Sequence, residues 1–177
     1  MKLIRNNQKG FTLIEILIAV GIFGLVAAAV SGTIVQIIQS NRSADHMTAL
    51  RHVQSAGYWV SQDGVQAQQV TTSTAPGLPF TLTWTDWDGN ALHEVEYSLQ
   101  DMSAGDLDYL QRKEVVNGEI ADPIITIVGQ YIDPSNTSCE PVDQELSAGE
   151  TFTFTVTATM NQQRETRTYE IKPRALF

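Results

Sequence analysis

The chain has 177 residues, of which 42% are apolar and 18% charged, and its formal net charge is −9. Its length and composition fit one modest globular domain with an appended segment. The first ten residues carry Lys2, Arg5 and Lys9, whereas 8 basic and 20 acidic residues from Phe11 onward give −12. This acidic balance argues against nucleic acid as a partner, because phosphate binding needs a basic surface.

The N-terminal segment is apolar enough to cross a membrane. Residues 11–30 contain sixteen Ala, Val, Ile, Leu or Phe side chains in twenty positions, and apolar character continues to residue 38. A helix of about 20 residues spans roughly 30 Å, the thickness of a bilayer core. Basic residues precede this segment, so the positive-inside rule predicts a cytoplasmic N-terminus and an extracytoplasmic globular part.

Three interpretations of this segment compete. A secretory signal peptide could be cut near Ala29, because Ala27 to Ala29 satisfy the small-x-small rule. An uncleaved anchor is the second interpretation, but it leaves Glu15 unexplained, since hydrocarbon strongly rejects a carboxylate. The third interpretation depends on the residues immediately before and around Glu15.

The sequence Lys9-Gly10-Phe11-Thr12-Leu13-Ile14-Glu15 resembles the class III signal of type IV pilins and type II secretion pseudopilins. The resemblance implies cleavage between Gly10 and Phe11 by a prepilin peptidase, and N-methylation of Phe11. It further implies a structural subunit without a cofactor, most like a minor pilin or minor pseudopilin. Such a subunit waits in the inner (cytoplasmic) membrane and then joins other subunits, through its N-terminal helix, in a surface or periplasmic filament.

Glu15 has a physical role under this interpretation. Cleavage creates an α-amine at Phe11, which is largely cationic at neutral pH. Opposite charges among helices in lipid can neutralise each other. The family implies that the amine belongs to the neighbouring subunit, so Glu15 is expected to set register during assembly.

Small residues mark one face of the same helix. Gly24, Ala28 and Gly32 follow steps of four, which allows close approach of another helix in a membrane. Glycine and alanine are also common in any membrane helix, so the pattern fits a helix-packing face and an ordinary membrane helix equally well. Many pilins carry a kinking proline where this chain has Gly32.

From residue 39 the pattern becomes amphipathic, and no proline interrupts it before Pro76. Apolar or small residues at three- and four-residue steps predict a helix to residue 70 that packs on a sheet; they are Met47, Leu50, Val53, Gly57 and Val60. The stretch SAGYWVSQDGVQAQQV, with Asp63 and Ala67, resembles the stalk region of larger minor pseudopilins.

The remaining chain has strand character. Alternating runs with turn residues between them predict about six antiparallel strands: 80–84, 92–99, 107–116, 124–132, 151–160 and 164–172. Residues 71–79 and 133–150 are predicted as linker and loop. The predicted fold is therefore α+β and pilin-like, a long N-terminal helix packed on an antiparallel sheet. The predicted divisions are a leader (1–10), a membrane helix (11–38), an amphipathic helix (39–70) and a sheet domain (71–177).

No catalytic motif is recognisable in the sequence. His46, His52 and His93 lack partners at a metal-like spacing and are expected on the surface. Cys139 is the only cysteine, so it forms no internal disulfide and is expected as a small apolar or loop residue.

The turn Asp86-Trp87-Asp88-Gly89-Asn90 is the best candidate for a small ligand. Asp86, Asp88 and Asn90 could offer oxygen atoms to calcium, although turn chemistry explains them equally well. Trp84 is expected in the core, and Trp87 could contact a partner.

Overall fold

The computed structural model describes residues 11–86, 88–89, 91–103, 105–119 and 122–174. The predicted leader with Gly10, and also Trp87 and Asn90, lie outside these residues. Contacts divide the chain into one unit that ends at Arg42 and another that begins at Ser43. The two units are described separately below.

The first unit is helical. It contains the N-terminal part of α1, an α-helix that runs from Leu13 to Gln66 without interruption. The helix continues through Ser31 and Gly32, where the Ser31 hydroxyl donates to the Ala27 carbonyl at 2.9 Å. Apolar side chains of this unit are exposed throughout, with Phe11 84% and Phe23 75% accessible.

In its described residues, the second unit contains the rest of α1 and nine strands. The strands are β1 Gln69–Thr72, β2 Phe80–Thr85, β3 Leu92–Asp101, β4 Asp108–Val116, β5 Ile124–Ile132, β6 Ser138–Glu140, β7 Glu145–Ser147, β8 Phe152–Met160 and β9 Gln163–Ile171. They form one antiparallel sheet in the order β6-β8-β5-β4-β3-β2-β1-β7, and β9 also pairs with β8. The predicted α+β, pilin-like architecture is confirmed.

The sheet is curled. Its end strands β6 and β7 are close in the chain, because only residues 141–144 separate them. Two hydrogen bonds from Thr72 in β1 fix the position of this connection. The Thr72 N–H donates to the Gln144 carbonyl at 2.9 Å, and its hydroxyl donates to the Pro141 carbonyl at 2.7 Å. The concave side of the sheet can therefore enclose a helix.

The face of α1 that enters the sheet consists mostly of small residues. Its buried residues are Ala49, Val53, Ala56, Gly57, Val60, Asp63 and Gly64. Against them pack the large apolar side chains of the strands, among them Phe80, Tyr97, Phe152 and Phe154. Small residues on the helix thus face large residues on the sheet, an arrangement that allows the two surfaces to pack closely.

The structure corrects several boundaries. Helix α1 ends at Gln66 rather than at residue 70, because the Gln68 N–H donates to the Thr83 carbonyl of β2 at 2.8 Å. Strand β1 spans the end of the predicted helix and the start of the predicted linker, and the predicted loop contains β6 and β7. These strands have three or four residues each and are too short for a period-two pattern. Met47 is 46% exposed and does not belong to the buried stripe.

Gly57 provides a test of this packing. A Cβ atom at Gly57 would overlap the ring of Tyr169, whose hydroxyl donates to the Val53 carbonyl at 3.2 Å. We expect Gly57→Ala to destabilise the second unit by about 1–3 kcal/mol, although alanine favours helix formation. Thermal unfolding followed by near-UV circular dichroism measures the change.

The matched control is Gly24→Ala, because a Cβ at Gly24 has nothing within 4 Å. It should leave the unfolding of the second unit unchanged. Combining Gly57→Ala with Tyr169→Ala should cost less than the sum of the two single changes, since the ring that blocks the new methyl group is gone. Strict additivity would contradict the proposed overlap.

Candidate functional site

Two groups of residues are candidates for function, and the first is the N-terminus of α1. Thr12 precedes the first helical residue, and its backbone N–H and its hydroxyl both donate to Glu15 Oε2, each at 2.9 Å. The Glu15 N–H donates in return to the Thr12 hydroxyl oxygen at 3.3 Å. This reciprocal arrangement is a capping box, which satisfies donors that a helix N-terminus otherwise leaves unpaired.

The capping box gives Glu15 a role within a single chain. Its carboxylate lies in the first turn, where the helix dipole favours negative charge. Both bonds from Thr12 end on Oε2, and among the described residues Oε1 accepts none. Glu15 can thus cap its own helix and still offer an oxygen atom to a further donor.

The surroundings of Glu15 are apolar. Beside its side chain lies a hollow formed by Phe11, Ile16, Ala19, Val20 and Phe23. Helix α1 contains a stretch of mean hydropathy 2.7 in which none of the residues is buried, so it is long and apolar enough to cross a membrane. Gly24, Ala28 and Gly32 lie exposed on this helix, and a Cβ at either glycine meets nothing within 4 Å. Their role in helix packing stays a prediction.

The second candidate is a buried ionic network in the second unit. Asp63, in the last turns of α1, accepts hydrogen bonds from the Tyr97 hydroxyl at 2.5 Å and from Arg112 Nε at 2.7 Å. Arg112 Nη2 donates to the other oxygen of Asp63 at 3.3 Å, and its guanidinium carbon lies 5.2 Å from the centre of the Trp59 ring. Tyr97 and Arg112 are cross-strand partners in β3 and β4, which brings both to Asp63.

The network continues to the turn between β2 and β3. Arg112 Nη1 donates to Glu114 at 2.8 Å, and the other oxygen of Glu114 lies 2.8 Å from His93 Nδ1. His93 Nε2 lies 3.3 Å from Asp86 Oδ2, although their geometry is not that of a hydrogen bond. The His93 ring stacks on Trp84 with an interplanar angle of 4°. His93 is therefore largely enclosed, which corrects the expectation of a surface histidine, whereas Trp84 lies in the core as predicted.

Burial and pairing set the protonation states of this network. Burial alone would lower the pKa of Arg112, but its hydrogen bonds to Asp63 and Glu114 outweigh it and raise the pKa. Burial and the negative charge of Asp63 raise the pKa of Tyr97. The arginine therefore stays charged and the phenol stays neutral. The network links α1 to β3, β4 and the β2–β3 turn.

His93 makes the stability of the second unit depend on pH. Burial lowers its pKa, but the hydrogen bond to Glu114 and the contact with Asp86 outweigh burial and raise the pKa above its ordinary value. A raised folded-state pKa stabilises the protein fully below the unfolded value of about 6.5, and this contribution is lost as pH rises through the folded-state pKa. We expect the free energy of unfolding to fall over that interval.

The control must separate His93 from His52, whose pKa is lowered by burial and whose contribution therefore has the opposite sign. The difference between the wild-type and His93→Gln unfolding profiles isolates His93, because His52 is common to both. Unfolding followed by tryptophan fluorescence between pH 5.5 and 8.5 provides the measurement. A difference that does not change with pH would contradict the assignment.

Calcium binding at the predicted turn stays a prediction. Asp86 lies beside His93, the Gly89 N–H donates to the Asp86 carbonyl at 2.8 Å, and Asn90 lies outside the described residues. Within the described part of the chain, no cluster of three His, Cys, Asp or Glu side chains is arranged to hold a metal ion. Cys139 lies fully buried in β6, and burial raises the pKa of its thiol to about 12.

Sequence reasoning missed the ionic network as a site, but signals for it exist. Asp63 follows Val60 by three residues and precedes Ala67 by four, so a carboxylate occupies the stripe that faces the sheet. Arg112 alternates with Leu110 along β4, which places a charge on the inward face. A buried acid and a buried base in neighbouring elements indicate a pair, because neither charge is stable alone in a protein interior.

Comparison with known proteins supports the first candidate. A family model described as the prokaryotic N-terminal methylation motif matches residues 5–31. No solved structure matches the chain significantly. The matched segment contains Phe11, the capping box and the exposed apolar part of α1. The chain thus carries the N-terminal methylation motif, with its class III signal peptide, that is typical of type IV pilins and pseudopilins.

Proposed function

We propose that this protein is a structural prepilin subunit that a prepilin peptidase cuts between Gly10 and Phe11, and that is then methylated on Phe11. The methylation motif at residues 5–31 carries this proposal. The processed chain is held in the inner membrane by α1, with the second unit on the extracytoplasmic side. It then joins a type IV pilus or a type II secretion pseudopilus through that helix.

Assembly is the proposed work of the first unit. Its apolar side chains are exposed around the whole helix, a pattern that suits lipid before assembly and neighbouring helices afterwards. Gly24, Ala28 and Gly32 would allow close approach. Glu15, with one oxygen engaged by Thr12, would receive the Phe11 amine of a neighbouring subunit on the other. The role is structural rather than catalytic, and the second unit would decorate the filament or cap its tip.

The identity of the mature N-terminus tests the proposal. Mass spectrometry of the N-terminal peptide, from cells that contain the matching peptidase, should find methylated Phe11. A chain that begins at Val30 would show ordinary signal cleavage after Ala29 and would contradict the proposal. In that case the protein would be a secreted binding protein or enzyme, which is the alternative that the sequence leaves open.

We further propose that this chain is a minor rather than a major subunit. Support comes from the resemblance of SAGYWVSQDGVQAQQV to the stalk of larger minor pseudopilins, since Asp63 and Ala67 in this stretch are buried against the sheet. Quantitative mass spectrometry of purified filaments measures the ratio of subunits. A ratio in which this chain predominates would overturn the proposal.

A further inference from the structure

Strand β5 has one edge that no described strand covers over most of its length. Along its first edge it pairs with β4 from Ile124, opposite Glu114, to Ile132, opposite Asp108. Along its second edge only Ile132 is paired, with Ala158 of β8. No described strand pairs with that edge over residues 124–131. The Gln130 N–H donates to His52 Nδ1 and the Tyr131 N–H to Met102 Sδ, each at 3.3 Å, so the backbone that stays open to an added strand is that of residues 124–129.

The open part of β5 is also apolar and exposed. Ile124 and Ile125 are each 57% accessible, and Ile127 is 49% accessible. Natural sheets usually protect such an edge with charged residues. Strand β9 does so, since it pairs only with β8 and carries Arg164, Glu165, Arg167 and Glu170. Strand β5 contains no charged residue at all.

Charge argues against a second copy of this chain as the occupant. From Ser43 onward, 7 basic and 19 acidic residues give a net charge of −12, so two copies repel each other. Three half-exposed isoleucines on each copy also fall well short of the roughly 1,200 Å² that a stable interface buries. The patch suits a smaller contact with a partner of opposite charge.

The residues around the patch indicate the partner's chemistry. Glu119 and Asp122 precede β5 in the chain, and Lys113, beside Ile125, lies 3.9 Å from Glu96. Arg112, opposite Thr126, is paired with Asp63 and Glu114, so both described cations next to this part of β5 have acidic partners, and the local charge is negative. A strand added here would gain main-chain hydrogen bonds from the edge and apolar contacts from the isoleucines.

We propose that the open edge of β5 binds an extended segment of another protein, which carries apolar side chains at alternate positions and a lysine or arginine beside them. Binding adds a strand to the sheet and buries Ile125 and Ile127. This inference does not depend on how the N-terminus is processed.

A defined peptide tests the proposal with the full-length protein in detergent micelles. The probe is a blocked seven-residue peptide of alternating valine and threonine with a lysine at each end, and calorimetry measures its affinity. Replacing both lysines by glutamate should weaken binding at least tenfold, and raising the salt concentration should weaken binding of the basic peptide. N-methylation of alternate backbone nitrogens should abolish binding, because it removes the donors that strand addition needs.

Protein variants locate the site. Ile125→Ser combined with Ile127→Ser removes the apolar contacts without changing the charge, so it should weaken binding of the basic peptide at least tenfold while circular dichroism stays unchanged. Leu92→Ser is the matched control, because Leu92 is 50% exposed but lies on β3, which is paired on both edges. This variant should bind the peptide as the wild type does.

Three results would overturn the proposal. They are equal affinity for the basic and acidic peptides, full binding of the N-methylated peptide, and a loss in Leu92→Ser as large as in the isoleucine variant. Concentration-dependent dimerisation that the isoleucine variant abolishes would instead show an interface between copies of this chain, and would also overturn it.

Discussion

Replacing Arg112 by methionine should destabilise the second unit by about 3–5 kcal/mol, because it leaves Asp63 buried without its cationic partner. Asp63 is 3% exposed and Arg112 6% exposed, so water cannot replace the lost hydrogen bonds. The change also removes the donor to Glu114 and the cation over the Trp59 ring. Urea unfolding of the protein in detergent, followed by tryptophan fluorescence, measures the loss.

A double substitution tests whether the loss of stability comes from the broken Asp63–Arg112 charge pair or from altered side-chain packing. Asp63→Leu combined with Arg112→Met removes both charges, and should recover much of the stability that Arg112→Met alone loses. Tyr97→Phe deletes one hydrogen bond to Asp63 and should cost about 1–3 kcal/mol. If the double variant is as unstable as the sum of the single variants, the network does not stabilise the fold through charge pairing.

The fold class was predictable because the sequence patterns that indicate its main helix and strands extend over many residues. The six predicted strands correspond to β2, β3, β4, β5, β8 and β9, each of which has six or more residues. The helix was predictable from an apolar run followed by an amphipathic stripe without proline. Strands β1, β6 and β7 were missed because each has only three or four residues, too few for an alternating pattern to be recognised in the sequence.

The candidate sites also differ in how easily they can be predicted, because the residues of one are contiguous and those of the other are far apart in the chain. Residues 9–15 are contiguous, so the motif at the N-terminus can be recognised from sequence alone. The ionic network joins Asp63, Arg112 and Asp86, which are far apart in the chain and meet only when the sheet closes on the helix. The open edge of β5 is likewise a property of topology, because an apolar strand looks the same in sequence whether its edge is covered or not.

Replacing Glu15 by alanine should leave cleavage before Phe11 intact and reduce filament assembly at least tenfold. The physical reason is the loss of the anion that would receive the neighbouring subunit's amine in an apolar environment. Alanine, however, also removes the capping box with Thr12. The alanine variant therefore cannot separate a defect in assembly from a defect at the start of the helix.

Two further substitutions separate these roles. Glu15→Gln keeps an oxygen atom that can accept both bonds from Thr12 but removes the charge, so it should assemble as poorly as the alanine variant. Thr12→Val removes the hydroxyl of the capping box but keeps the carboxylate, so it should assemble nearly as well as the wild type. The assembly of both variants is measured by shearing filaments from the cells and quantifying them. Mass spectrometry confirms the mature N-terminus of each variant.

The opposite assembly results for these two variants would show that Glu15 only caps its own helix. If Glu15→Gln assembles normally and Thr12→Val does not, the carboxylate serves the helix N-terminus and the register of the filament is set elsewhere. The proposed charge pair requires that a neutral side chain of the same shape fails, because only the charge can offset a buried amine. Under the proposed charge pair, an apolar helix tolerates Glu15 because Thr12 satisfies one of its oxygens before assembly and the neighbouring amine would satisfy the other after it.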